Sequence, residues 1–189
     1  TSTDMVLLYG GGHHRTPYTW DKERVSSYIR YVDTDNQSHW LFDSFLFLEI
    51  MDTGTGGANK MFAKGYNLES ANQADWTKLI DYYFQSETGI GALDASVKEA
   101  SAILGTPRQK RQIVISIPEP IVYQHPEQAS SSTKYWGKID NQTLDFSNSA
   151  DRIKACKWYI DQVRAKFNEK NYQHVELAGF YWLAEKATD

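Results

Sequence analysis

Val175-Glu176-Leu177-Ala178-Gly179-Phe180-Tyr181-Trp182-Leu183-Ala184-Glu185 is an apolar, aromatic run that closes on a carboxylate shortly before the last residue, Asp189. The run reads as a strand, and the stretch before it as the helix that feeds it. In a β/α architecture the loops at the C-terminal ends of the strands form the crevice, and each strand holds its last side chains rigidly. Glu185 therefore stands where such a fold places its chemistry. A chain that stops there also creates the expectation of an unfinished fold.

Working back from that strand, Ile153, Cys156, Ile160, Val163 and Phe167 repeat at helical spacing, with Ser147 and Ser149 as candidate caps. Gln112 to Pro120 is an apolar strand ended by its prolines, and Gln124 to Ser147 reads as a polar loop. Trp76, Leu79, Ile80, Tyr83 and Phe84 predict one helix and Leu93, Val97, Ala100 and Leu104 another, joined around Gly89 and Gly91. Asp52 to Gln73 opens as a glycine-rich loop. Trp40 to Ile50 is so uniformly apolar that it predicts a buried strand, with Asp43 its one internal charge before Glu49. A helix is expected from Trp20 to Val32, and a first strand over Met5 to Tyr9, ended by Gly10-Gly11-Gly12.

Strands alternating with helices, none joined by a two-residue hairpin, predict an α/β fold of parallel β/α units with right-handed crossovers. An open doubly wound sheet and the first four strands of a TIM-barrel-like (β/α)8 fold both fit this rhythm. A dinucleotide site is disfavoured: Gly10-Gly11-Gly12-His13-His14 lacks the Gly-x-Gly-x-x-Gly spacing, and no phosphate-loop Lys-Ser/Thr pair follows.

The 189 residues suit one domain, residues 1–189, without an internal repeat or linker. The formal charge of -4 argues against nucleic acid, and the basic residues cluster only at Arg108-Gln109-Lys110-Arg111, just before an apolar strand. A single cysteine, Cys156, excludes an internal disulfide and reads as a small core residue. No run approaches the roughly 20 apolar residues of a membrane span. Asn36-Gln37-Ser38 and Asn141-Gln142-Thr143 match the glycosylation acceptor pattern by composition alone. Aromatics make up 14% of the chain, which suggests stacking platforms as well as core filling.

Just beyond the strands stand His13 and His14, then Glu49 with Asp52, then Glu119, then Glu185. Carboxyls held on adjoining strands are equipment for acid and base work, in which one stays protonated and another ionised. Glycoside hydrolysis needs such a pair, about 5 to 9.5 Å apart. Glu185 is the first candidate for acid/base, with Glu119 and Glu49 in reserve. His13, His14, Asp43, Trp40, Tyr181 and Trp182 are candidates to line a sugar crevice. No metal or cofactor site is expected, because adjacent histidines in an extended segment point apart. A non-catalytic carbohydrate-binding module is the alternative, and the absence of a Gly-x-Ser-x-Gly elbow disfavours an ester or amide hydrolase.

Leu7 to Trp20, with Gly10-Gly11-Gly12-His13-His14-Arg15-Thr16-Pro17, and His39 to Glu49 resemble the bacterial domain of unknown function 4855. The likeness extends to Ile115-Ser116-Ile117-Pro118 and Gly179-Phe180-Tyr181-Trp182. It implies an exported protein, secreted, periplasmic or on the cell surface, that acts on a carbohydrate and is similar to barrel glycosidases. It also implies a domain that continues past the fourth strand, so that this chain is the N-terminal part of a larger barrel and takes a partner carboxylate from the remainder.

Overall fold

The computed structural model describes residues 4–10, 19–53, 59–125 and 135–186. In chain order the first elements are β1 (Met5–Tyr9), α1 (Lys22–Ile29), β2 (Arg30–Val32), β3 (Ser38–Trp40), β4 (Ser44–Leu48), β5 (Met51–Asp52), β6 (Lys60–Met61) and β7 (Glu69–Ser70). They are followed by α2 (Gln73–Tyr83), α3 (Gly89–Leu104), β8 (Arg111–Ile117), β9 (Lys138–Ile139), β10 (Gln142–Thr143), α4 (Ser149–Lys170) and β11 (Val175–Trp182). Among the described residues no helix is long and apolar enough to cross a membrane.

β1, β4, β8 and β11 form one sheet in that order, each neighbouring pair parallel. All five residues of β4 are buried, as its unbroken apolar run requires. The strand order follows the chain without reversal, so the sheet has no switch point of the doubly wound kind. Crossovers of one hand then bring successive helices to one face. The packing agrees: Leu8, Phe47 and Ile115 stand in one row. That row shares a single core with Val25 of α1, Trp76 and Tyr83 of α2, Leu93 of α3 and Tyr159 of α4. The adjacent row, Leu7, Leu46 and Val114, points to the other face and lies outside that core. Leu7 is 41% exposed there.

All six tryptophans belong to the core or pack against it. Trp76 sits at its centre, edge-on to Trp136 at 5.2 Å and to Tyr159 at 5.7 Å between ring centroids. The aromatic abundance is thus largely core filling, and the tryptophans are not open platforms.

Tertiary pairing modifies the expected elements at several points. The Trp20 to Val32 helix stops at Ile29, because Arg30 to Val32 pair antiparallel with Ser38 to Trp40. The Asp33 carboxylate accepts the amides of Asp35 and Gln37 at 3.0 and 2.8 Å, and Asn36 adopts φ 61°. That turn outcompetes the next helical turn. Trp40 to Ile50 is consequently not one strand: Trp40 closes the hairpin, and the sheet strand begins at Ser44. The glycine-rich loop expected to open at Asp52 lies mainly outside the described residues, and the rest of the stretch contributes to a three-stranded ribbon, β5-β6-β7, in which Met61 and Phe62 are buried. Finally, β9 and β10 are joined by a two-residue turn, Asp140-Asn141, with φ of 52° and 62°, the left-handed pair that favours Asn and Asp in hairpins. At the start of α4 the cap is Asn148, whose side chain accepts the Ala150 amide, rather than either flanking serine.

The glycine pair between α2 and α3 has a steric reason. Gly89 has φ 58°, and a Cβ on Gly91 would lie 2.5 Å from the Gln85 carbonyl oxygen and 2.6 Å from that of Ser86. Gly91→Ala is therefore expected to lower unfolding free energy by about 1–3 kcal/mol, through forced separation of backbone from backbone. Urea unfolding followed by tryptophan fluorescence measures it; an unchanged midpoint would show that the turn yields freely.

Candidate functional site

Glu49 follows the last residue of β4 directly, Glu119 lies two residues past β8, and Glu185 three past β11. Since β4, β8 and β11 are neighbours, the three carboxylates stand at the C-terminal end of three adjacent strands. His13 and His14 lie outside the described residues.

The carboxylates share an edge but not an environment. Glu49 is fully buried, and its Oε1 accepts the amides of Ile50 at 2.9 Å and Met51 at 3.3 Å. It stands on the helix side of the sheet. Burial chiefly, then Tyr159 and the Glu49 charge, push the Tyr83 hydroxyl well above its ordinary range, and burial and Glu49 act likewise on Tyr82. Tyr83 itself packs edge-on against Phe47 at 5.7 Å, one alternate position before Glu49.

Glu119 is half-buried, and both ends of the residue grip the ribbon. Its amide donates to the Phe62 carbonyl at 2.8 Å, and its Oε2 accepts the Lys64 amide at 2.6 Å. The Ile50 carbonyl in turn accepts the amides of Phe62 at 2.8 Å and Ala63 at 3.2 Å. Residues 62–64 therefore bridge the ends of β4 and β8, and backbone is tied into the gap that a Glu49–Glu119 pair would have to span. The ribbon is held further by the ion pair of Lys60 with Glu69, at 2.7 Å, and by Gln124 donating to Glu69 at 2.8 Å. These two hydrogen bonds, Lys60 first, hold the Glu69 carboxyl below its usual range. Met61-Phe62, an apolar pair in an otherwise polar stretch, was the sequence signal for this cover.

Glu185 is exposed, with φ 52°; its amide donates to the Trp182 carbonyl at 3.1 Å, and its carboxylate accepts the Tyr181 hydroxyl. A bulge between Leu177 and Gly179 decides which way its neighbours face. The extra residue, Ala178, shifts the alternation by one, so Phe180 and Trp182 fall in register with Ile115 and Ile117, and Tyr181 with Ser116. Phe180 and Trp182 accordingly pack on the helix core, whereas Tyr181 does not belong to it. Trp182 borders a cavity of about 220 Å³ with Pro120, Cys156 and Ile160, and its indole N–H donates to the Lys186 carbonyl at 2.8 Å. Tyr181 and Trp182 are thus separated by the plane of the sheet.

Trp40 and Asp43 precede β4 and stand at the opposite, N-terminal end of the sheet, where Asp43 accepts the Asp4 amide at 3.2 Å and the Ser44 hydroxyl at 2.9 Å. Arg111, the first residue of β8, lays its guanidinium over the Trp40 ring at 4.4 Å. In the sequence Arg111 stands out only as one member of the basic cluster Arg108-Gln109-Lys110-Arg111. Among the described residues no three His, Cys, Asp or Glu side chains converge as metal ligands would.

Glu119→Ala removes the acceptor of the Lys64 amide, and hydrogen exchange at that amide is expected to quicken by roughly tenfold or more, as loss of a charge-assisted hydrogen bond implies. An unchanged exchange rate would mean that the Lys64 amide is protected by contacts other than the Glu119 carboxylate. Burial pushes the Cys156 thiol up to about 12, against a smaller opposing effect of Arg152. Because the shift is upward, thiolate is scarce until the pH nears that value. At pH 8 a disulfide reagent should react roughly a thousandfold more slowly than with free cysteine, and a comparable rate would refute the reading of Cys156 as a small core residue.

No curated protein and no solved structure matches the chain. One family model does match, across residues 4–189, and the chain belongs to that family, described as a domain of unknown function (DUF4855).

Proposed function

We propose that the chain is a carbohydrate-active β/α unit of TIM-barrel type that engages a glycan at the rim carrying Tyr181 and Glu185, with Glu185 as the acid/base of glycosidic cleavage. The barrel reading is supported by the strand order, which runs with the chain, and by the helix core on a single face. The observation that carries the function is the Tyr181–Glu185 hydrogen bond. It places a carboxylate, exposed and oriented by a phenol, at the C-terminal mouth of a strand and away from the helix core. Such a group can give a proton to a leaving oxygen and take one from water. The exported bacterial setting implied by the sequence resemblance is part of the same proposal.

A second reading, glycan binding without cleavage, is favoured by a separate observation: Glu49 and Glu119 are each engaged by backbone amides of the segments that follow or cover their strands. A carboxylate that caps backbone is a poor partner for Glu185 in a two-carboxyl mechanism.

The chain and its Glu185→Gln and Tyr181→Phe variants should be screened on glycan arrays for binding and for release of reducing sugar. Cleavage predicts loss of turnover by at least about a hundredfold in Glu185→Gln with binding kept, and a smaller loss in Tyr181→Phe. Binding by all three without release would establish the second reading. No binding by any of them would remove the carbohydrate proposal.

A further inference from the structure

At the end of the sheet opposite Glu185, a cavity of about 680 Å³ is lined by Trp40, Asp43, Thr106, Arg108 and Arg111 among others. Arg111 is 5% exposed, and its Nε is buried with no hydrogen-bond partner among the described residues. Its guanidinium carbon lies over the Trp40 ring, 4.4 Å from the centroid, a cation–π contact that takes up no N–H donor. A buried guanidinium N–H without a hydrogen bond is costly, and a planar or tetrahedral oxyanion is a group that a guanidinium binds with matching geometry.

We propose that this cavity binds the oxyanion of a small molecule, a phosphate, sulfate or carboxylate group, between the guanidiniums of Arg111 and Arg108. Two arginines and one carboxylate, Asp43, line the cavity, and Asp43 is already bonded to the Asp4 amide and the Ser44 hydroxyl. Asp43 does support the Arg111 charge, but burial outweighs it and brings the Arg111 pKa down from its ordinary value. The α3 helix ends nearby at Leu104, and its carbonyl dipole opposes an anion, so the arginines must carry the attraction. A cation is disfavoured because it would sit against the buried Arg111 charge. The volume exceeds that of a bare oxyanion and leaves room for the body of the molecule that bears it.

Calorimetric titration of the chain with inorganic phosphate, sulfate and acetate, each at constant ionic strength with chloride as the balancing ion, tests this and distinguishes the three groups. Saturable binding of at least one of them is expected. Arg108→Gln, at an exposed position, and Arg111→Lys, which keeps the charge but loses the fork, should each weaken it roughly tenfold. Asp43→Asn should strengthen it several-fold by removing the opposing charge while keeping an acceptor for the Asp4 amide. Melting curves in chloride alone identify any variant that fails to fold, and Arg108→Gln decides the matter if Arg111→Lys is one of these. Absence of saturable binding to the wild-type chain, or equal affinity in Arg108→Gln and the wild type, would overturn the proposal.

Discussion

Burial of β4 on both faces is the constraint on which the rest depends. Its residues, Ser44 to Leu48, have no exposed side. Phe45 and Phe47 can be covered only by helices, and Leu46 and Leu48 lie on the face the helices do not reach. Parallel neighbours on either side, β1 and β8, satisfy the backbone, and parallel pairing obliges the chain to leave the sheet and return over one face. The position of each helix, and of each strand end, follows from that requirement.

Strand ends alone do not make a site. Glu49, Glu119 and Glu185 are delivered to one edge of the sheet by the same topology, yet local bonding divides them. Glu49 caps the turn after its strand, Glu119 clamps residues 62–64, and Glu185, among the described residues, is bonded to the Tyr181 side chain and to its own turn. The ribbon that runs between β4 and β8 shapes the rim as much as the strands do. It also ties distant stretches together, since Lys60, Glu69 and Gln124 are joined across it.

The two ends of the sheet differ in electrostatic character. At the C-terminal end carboxylates meet backbone amides and phenols. At the N-terminal end a buried guanidinium is stacked on Trp40 and only partly compensated by Asp43. A buried charge that is only partly compensated is unfavourable. The aromatic content of the chain distinguishes neither end, because the tryptophans belong to the core or pack against it.

Periodicity in the sequence determined the four sheet strands, the paired helices around Gly89 and Gly91, and the long helix before Val175, since each rests on an apolar run or a repeat of three and four that local burial enforces. It also singled out Glu49, Glu119 and Glu185 as strand-end residues. What it could not determine were features in which a distant partner overrides the local pattern. The hairpin that stops α1 at Ile29 depends on pairing with Ser38 to Trp40, the ribbon depends on Ile50 and Glu119, and the placement of Trp40 and Asp43 away from the rim follows from that hairpin. The direction of Tyr181 and Trp182 turned on a single extra residue in β11, because a strand repeats every two residues and a one-residue bulge exchanges its faces. Composition and spacing set the elements, whereas only pairing between remote segments decided which side chains share a side of the sheet.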